Sequence, residues 1–260
     1  MPSLILRDLS ARPVIAHRGA SAEAPENTLA AFHLAAAQHC DAFELDIRRS
    51  RDGEAVVMHD PTLDRTCARP GAVTALTLEE LRQADAGAGF VAPGGSRPWR
   101  GRGVRIPTLR EVVRAFPAMP LLIELKVADV QEEVARVLKE EQATARAVVA
   151  SFRPRALDQL RGSAVQVGAD RRDVTLLVLR TRFGLPVPPP RCLLYAVPWR
   201  WKDLVDIPHP RFVAAARGHA CPVHVWTVDD PDVATRLWQR GVNGIITNRP
   251  ALMREVRDRR

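Results

Sequence analysis

ELDIRRSRDGEAVVMH, residues 44–59, places two carboxylates two positions apart and a histidine beyond a tight turn. With the two residues before it, the run Ala42-Phe43-Glu44-Leu45-Asp46-Ile47 has the composition of a β-strand. Side chains alternate faces along a strand, so Glu44 and Asp46 point one way while Phe43, Leu45 and Ile47 point the other. Paired carboxylates repel each other, and burying them is costly without a compensating cation. Arg51-Asp52-Gly53 reads as the turn and Glu54 to Met58 as a returning strand that brings His59 back toward the acids. A solvated strand face with a surface histidine would account for this fragment taken alone. The remainder of the chain argues for something else.

Outward from this hairpin the chain alternates strand and helix. Val14 to His17 is a short apolar strand, and Thr28 to Cys40 has helical spacing after a Pro25-Glu26-Asn27 start signal. Residues 61–106 form a long connection with one helical segment, Thr77 to Asp85, and a Gly-, Pro- and Arg-rich stretch from Gly87 to Gly103. A helix through Phe116, a strand from Leu121 to Lys126, a helix from Val130 to Gln142 and a strand from Ala147 to Phe152 follow. Pro154 to Gly162 reads as helix and Val174 to Leu179 as strand. The proline-rich segment Leu185 to Pro190, where no ordinary helix can form, stands in place of the next helix. Strands at Cys192–Val197, Val223–Val228 and Gly244–Thr247 alternate with helices near Phe212–Gly218 and Asp232–Gly241. Repeated β-α units imply a parallel sheet. About eight strands, with no GxGxxG after the first, favour a closed (β/α)8 TIM barrel with a small insertion after its second strand.

A chain of 260 residues, 46% hydrophobic, suits one α/β domain spanning 1–260 better than two small ones. The formal charge of +8 rests almost wholly on scattered arginines, without a like-charge run or an aromatic-interleaved basic patch. It therefore supports anionic partners in general, and no nucleic acid in particular. Four dispersed cysteines form no CxxC pair, so reduced thiols in a cytoplasmic protein are expected. About a dozen residues precede the first strand, too few for a secretory signal of roughly 15–30. No apolar run approaches the roughly 20 residues of a membrane span, and no stable membrane insertion is expected.

On a barrel, the C-terminal ends of the strands converge at one mouth. There the chain places His17, Glu44, Asp46, Glu124, Lys126, Ser151 and Trp226-Thr227. Three inward carboxylates and a lysine would make a poor core. They suit oxygen ligation of a hard divalent cation, Ca²⁺ or Mg²⁺, with Lys126 and Arg18 offering charge to a phosphate. Zinc is disfavoured by the absence of cysteine and the presence of only two well-placed histidines. An ion-pair network closing the mouth is the structural alternative. The other histidines, His33, His39, His209, His219 and His224, read as surface or helix residues.

His17-Arg18-Gly19, Pro25-Glu26-Asn27-Thr28 and Ala31-Phe32 resemble the opening of the glycerophosphodiester phosphodiesterase family. Glu44-Leu45-Asp46, Asp52-Gly53, His59-Asp60, Ile106-Pro107-Thr108-Leu109, Ile123-Glu124-Leu125-Lys126, Val225-Trp226-Thr227-Val228 and Gly241 to Thr247 continue the resemblance in order over nearly the whole chain. It implies a (β/α)8 barrel carrying residues 61–106 as an insertion at the mouth. It also implies metal-dependent cleavage of glycerophosphodiesters, such as glycerophosphocholine, to sn-glycerol 3-phosphate and an alcohol. Carried over by position, Glu44, Asp46 and Glu124 resemble the metal ligands, His17 and His59 the acid–base pair, and Arg18 and Lys126 the phosphate contacts. Asn27 is a site neighbour or equally a helix N-cap, and Trp226 a pocket wall or equally core. Which histidine is acid, which base, and whether water or a substrate hydroxyl attacks stay open at this level. Rival readings are a lysophospholipase D using the same residues, a phosphatidylinositol-specific phospholipase C, and a non-enzymatic polyanion-binding module.

Overall fold

The computed structural model describes residues 4–201 and 204–259. In chain order the elements are β1 (Val14–His17), α1 (Leu29–Ala37), β2 (Ala42–Arg49), β3 (Ala55–Val57), α2 (Asp64–Cys67), α3 (Leu78–Arg82), α4 (Leu109–Ala115), β4 (Leu121–Leu125) and α5 (Gln131–Glu140). Then come β5 (Ala147–Ala150), α6 (Arg155–Asp158), β6 (Gln166–Val167), α7 (Arg171–Arg182), β7 (Tyr195–Pro198), β8 (Arg200–Trp201) and β9 (Val205–Asp206). The chain continues through α8 (Pro210–Gly218), β10 (Val223–Trp226), α9 (Pro231–Gln239), β11 (Gly244–Thr247) and α10 (Pro250–Asp258).

Eight parallel strands pair in the order β6-β5-β4-β2-β1-β11-β10-β7, with β3 antiparallel on β2. The ladder closes on itself where β6 meets the start of β7. Leu193 N donates to Val167 O at 2.9 Å, and Ala169 N donates to Leu194 O at 2.9 Å. The expected (β/α)8 barrel is what the chain forms, and strand alternation sorts its side chains. Phe43, Leu45 and Ile47 of β2 face outward and pack with Val112, Val134 and Leu138 of the helices. The ring of Phe43 lies 5.0 Å from that of Phe32 and 4.9 Å from that of Phe116, the second contact edge-on. Inward-facing Ile15, Ala42, Leu122, Val148, Leu194 and Ile246 fill the barrel around Leu6, which lies on the short helical turn Ile5–Arg7 before β1. An apolar interior below and charged groups above is the usual division of such a barrel.

One assignment is corrected. Val174–Leu179 is not a strand but the middle of α7, and the preceding strand is β6, only two residues long. Asp170 caps α7 by accepting from Arg172 N and Asp173 N, while the Asp173 side chain returns the bond to Asp170 N. Val174, Leu177, Val178 and Thr181 recur at helical spacing and form the face that packs toward Phe212 and Val213 of α8. The reading as a strand followed Leu176-Leu177-Val178-Leu179, an unbroken apolar run in which Leu176 and Leu179 remain exposed. The helix expected after that run therefore lies within it.

Residues 61–106 build a small core of their own around Leu63, Val73, Leu81 and Ile106, packed on Val56 and Met58. The stretch from Gly87 to Gly103 is tied back by Trp99 Nε1 donating to Glu23 O at 3.1 Å and Gly101 N donating to Asp85 Oδ2 at 2.8 Å.

His224 is also corrected, being neither on the surface nor on a helix. It lies on β10 inside the barrel, fully buried, with Nε2 donating to Leu6 O at 2.8 Å. A Cβ at Gly244 would come within 2.3 Å of its Nδ1, so the neighbouring strand needs glycine there. Burial pushes the His224 pKa down from 6.5 to about 4, which keeps the ring neutral. Because the folded value lies below the unfolded one, the associated stability is complete above about pH 6.5 and is lost as pH falls through about 4, a loss of about 3 kcal/mol. Urea unfolding at pH 7 and pH 4.5 should show this fall, and His224→Gln, which keeps a donor but does not titrate, should flatten it. An unchanged pH slope in His224→Gln would assign the acid sensitivity elsewhere.

Candidate active site

Strand register sets the first geometry. His17 at the end of β1 is level with Glu44 on β2, and Asp46 is level with Glu124 on β4. Lys126 follows β4 directly, and Arg18 follows β1 with a left-handed φ of 59°. Gly19 sits so close to α1 that a Cβ would lie 2.6 Å from Ala31 backbone, so this turn excludes other residues. A cavity of about 300 Å³ opens at the mouth. His17, Arg18, Glu44, His59, Glu124 and Lys126 line one side of it, and Phe152, Val174 and Trp226 line another. None of its lining residues comes from the Gly87–Gly103 stretch.

The acids are held at close quarters. One carboxylate oxygen from each of Glu44, Asp46 and Glu124 lies within 4.8 Å of the others. Lys126 Nζ is 2.9 Å from both Asp46 Oδ1 and Glu124 Oε1, and Arg18 Nε is 3.0 Å from Asp46 Oδ2. Burial, aided by the charge of Asp46, holds the Glu44 carboxyl well above the usual range, and burial raises Glu124 as well. Burial also pushes Asp46 upward, but Lys126 and Arg18 outweigh it and leave that carboxyl lowered. Asp46 Oδ1 is buried and accepts no well-directed hydrogen bond, despite the nearby ammonium. Three oxygen donors, one of them orphaned, and two acids short of positive charge fit a hard divalent cation. Asn27 lies behind this set and is 2% exposed. Its Nδ2 donates to Asp46 Oδ2 at 2.8 Å and its Oδ1 accepts from Asp46 N at 3.3 Å. The N-cap of α1 is Thr28, not Asn27, whose side chain bonds Asp46 instead.

The histidines face the cavity with different supports. Asn248 Nδ2 donates to Asp229 Oδ2 at 2.6 Å, and Asp229 Oδ1 accepts from Asn248 N and Thr247 Oγ1 at 2.8 Å each. This orients the Asn248 amide so that Oδ1 is the acceptor, 2.7 Å from both His17 Nδ1 and Ser21 Oγ. His17 therefore carries its hydrogen on Nδ1 and presents Nε2 as a lone pair, 4.0 Å from Glu44 Oε2. Burial, then the charge of Arg18, drives its pKa to about 4. His59 Nδ1 is 2.6 Å from the Asp60 carboxylate, and burial lowers its pKa while Asp46 and Asp60 oppose the fall. Arg65 Nε donates to Asp60 Oδ2 at 2.6 Å, and with burial opposing, this bond and His59 hold the Asp60 carboxyl down at about 2. Arg65 also forks onto both oxygens of Glu26 at 2.6 and 2.8 Å, and Glu26 Oε1 accepts from Arg18 Nη1 at 2.8 Å. A single chain of charged hydrogen bonds thus joins His59 to Arg18.

Of the residues singled out from the sequence, His17, Arg18, Glu44, His59, Glu124, Lys126 and Trp226 line the cavity, while Asp46 and Asn27 are buried behind it. Sequence reasoning gave no role to the supports Asp60, Arg65, Glu26, Asn248 and Asp229, although Glu26, Asp60 and Arg65 stand in segments that carry the family resemblance. It also missed Phe152 and Val174 on the cavity wall. The accessible signals were the place of Asp60 beside a chosen histidine and that of Glu26 in the Pro25–Thr28 motif. Trp226 lines the cavity with its ring 5.5 Å from and perpendicular to that of Phe152, and so walls the pocket while joining the inner core. In ¹⁵N NMR, His17 should show the Nδ1–H tautomer in the native protein. Asn248→Ala should mix in the Nε2–H form, and an unchanged spectrum would remove Asn248 from this role.

The sequence profile of the Glycerophosphoryl diester phosphodiesterase family matches residues 17–252. A Bacillus subtilis protein provisionally named for that activity is 34% identical over 249 residues, covering 91% of this chain and 94% of its own. A glycerophosphodiester phosphodiesterase of Caldanaerobacter subterraneus subsp. tengcongensis is 31% identical, with coverages of 91% and 94%. Among solved structures, an Oleispira antarctica phosphodiesterase in complex with the product sn-glycerol-3-phosphate superposes with a TM-score of 0.76 at 25% identity, over 95% of this chain and 97% of that one. With the barrel and the mouth already described, these matches establish that the chain belongs to the glycerophosphoryl diester phosphodiesterase family of enzymes.

Proposed function

We propose that this chain hydrolyses glycerophosphodiesters, glycerophosphocholine and glycerophosphoethanolamine among them, to sn-glycerol 3-phosphate and an alcohol. The observation that carries this reading is one cavity lined by both histidines, Glu44, Glu124, Arg18 and Lys126. Residues 1–260 act as one catalytic domain, with 61–106 as its insertion at the mouth. Glu44, Asp46 and Glu124 would hold Ca²⁺ or Mg²⁺, and the chemistry such an ion supplies there is neutralisation of charge on the phosphoryl oxygens. Arg18 and Lys126, which now pair with Asp46 at 3.0 and 2.9 Å, would orient the phosphate by charge and hydrogen bonding. Asn27 fixes Asp46, and Trp226 bounds the side that receives the alcohol. The buried, unpaired thiols of Cys40, Cys67, Cys192 and Cys221 suit a reducing, cytoplasmic setting.

The supports of the two imidazoles divide the proton work. His59 takes the proton of the attacking hydroxyl, because the Asp60 carboxylate stabilises the imidazolium that forms. His17 leans on a neutral amide, so its imidazolium is the stronger acid and gives its proton to the departing alkoxide. The negative charge of a phosphodiester beside Nε2 raises the proton occupancy of His17 in the complex. A second reading, cleavage of lysophospholipids by the same groups, draws on the apolar wall of Phe152, Val174 and Trp226. A module that only binds polyanions gains nothing from three clustered carboxylates.

Two measurements test the assignment. Glu124→Gln should weaken calorimetric binding of Ca²⁺ or Mg²⁺ on the order of tenfold or more. Its hydrolysis of glycerophosphocholine should vanish at limiting metal and recover in part at excess; full activity at limiting metal would overturn the ligand set. His17→Ala should cost roughly 10²–10⁴-fold with glycerophosphocholine and far less with an aryl ester, whose leaving group needs no proton. His59→Ala should be costly with either substrate. Equal losses by both variants on both substrates would refute this division of labour.

A further inference from the structure

Eight large apolar side chains are strongly exposed among the described residues, and six belong to one segment: Leu176, Leu179, Phe183, Leu185, Trp201 and Leu204. A seventh, Phe152, is 41% exposed on the wall of the catalytic cavity. Phe183 and Leu204 are 73% and 86% exposed, far more than chance rim residues of a core. Helix α7 is thus apolar twice over. Val174, Leu177, Val178 and Thr181 seal it to the barrel, while Leu176 and Leu179 leave a second apolar stripe bare.

The stripe is fixed beside the mouth. The N-cap of α7, Asp170, and its first-turn Val174 line the catalytic cavity. At its other end, Arg182 Nη2 donates to Asp206 O of β9 at 3.5 Å and Thr181 Oγ1 lies 3.4 Å from Nε2 of His209, the N-cap of α8, which ties the helix to both elements. The sequence around it is predominantly basic, although Arg172 pairs with Asp158 and Asp170 and Arg200 with Asp206. Residues 171–204 contain six arginines and one lysine against two aspartates, five of the chain's formal +8 within an eighth of its length. Arg171, Arg172 and Arg182 are exposed on the helix itself.

We propose that α7 and the β8–β9 hairpin form a peripheral docking surface for a lipid bilayer rich in anionic headgroups, seating the catalytic mouth at the membrane face. Leucine and phenylalanine interleaved with arginine on a fixed helix is the pattern that settles into the headgroup boundary: arginine meets lipid phosphate and the apolar stripe enters the acyl edge. A helix of 12 residues is too short to span, and no helix among the described residues is long and apolar enough to cross a membrane, so the contact is superficial. An acidic protein would satisfy the arginines but not bare leucines, and a second copy would bring arginine against arginine. The proposal does not rest on the reaction assigned above, because docking is read without turnover.

Sedimentation of the full chain with large unilamellar vesicles tests it. Vesicles of phosphatidylcholine mixed with phosphatidylglycerol should bind the protein at least about tenfold more tightly than phosphatidylcholine alone, and added salt should weaken the binding. Leu179→Ser/Phe183→Ser should lose that binding about tenfold, and Arg171→Gln/Arg182→Gln should lose it several-fold, with glycerophosphocholine hydrolysis and circular dichroism unchanged. Failure to bind the mixed vesicles, or undiminished binding by Leu179→Ser/Phe183→Ser, would overturn the proposal. So would a native dimer in light scattering that becomes monomeric in that variant, since the stripe would then be covered by a second copy.

Discussion

Like charge packed into a barrel mouth is the constraint on which the site depends. Glu44 and Asp46 share one face of β2 because strand side chains alternate, and Glu124 meets Asp46 across the ladder. Their mutual repulsion and desolvation are offset by Arg18 and Lys126, each about 3 Å from Asp46. The balance is uneven. Asp46 is surrounded by cations and an amide and stays ionised, whereas Glu44 and Glu124 are held toward the protonated form. A set tuned in this way is poor as a structural ion-pair network, which would be expected to neutralise all its members. It is well suited to gaining positive charge, at which point the lysine and arginine become available to another anion.

The same constraint explains why the hairpin could be recognised from sequence. An Ala-Phe-Glu-Leu-Asp-Ile run obeys period two strictly, and nothing but a strand places both acids together and three large apolar groups opposite them. Most strands and helices of the barrel were legible for similar reasons. The β6–α7 region was not. Two residues of strand offer no periodicity, and a helix whose outer face is as apolar as its inner face reads as a continuous buried run. The informative signal was Asp170-Arg171-Arg172-Asp173, a capping box carried by aspartate at both ends. The proline-rich segment was legible as irregular chain, but it follows the helix and does not replace it.

Within the site, the charged residues that face the cavity were legible, whereas its apolar wall at Phe152 and Val174 and the residues that orient the charged groups were not. His17, Glu44, Asp46, Glu124 and Lys126 stand at strand ends, where topology alone predicts convergence. Asn248 and Asp229 follow β11 and β10, and their significance lies in a single amide orientation that no spacing rule encodes. Glu26 and Arg65 are 39 residues apart, and only the folded insertion brings them within 2.8 Å. This gives residues 61–106 a role at the site, although none of them lines the cavity. Through Asp60 and Arg65 the insertion sets the charge behind His59, and through Glu26 it reaches Arg18.

That linkage bears on how the barrel accommodates variation in its loops. Arg65 is half exposed, and an isolated surface ion pair is worth little. Here, however, the guanidinium engages three carboxylate oxygens at once, and its partners are less exposed than it is. Fixing one rigid fork restrains both Asp60 and Glu26 at the cost of ordering a single side chain. The two halves of the mouth, one following β1 and the other following β3, are thereby coupled without any contact between His17 and His59. The Gly87–Gly103 stretch contributes nothing to the cavity wall and is held by the Asp85 carboxylate, by the Trp99 indole and by Gly89 N donating to Thr66 O at 2.8 Å. Variation at Arg65 reaches the charge balance at the acids through two hydrogen-bonded steps, and Gly89, where a Cβ would lie 2.0 Å from Arg65 O, is the point of that stretch at which a side chain would press on the clamp.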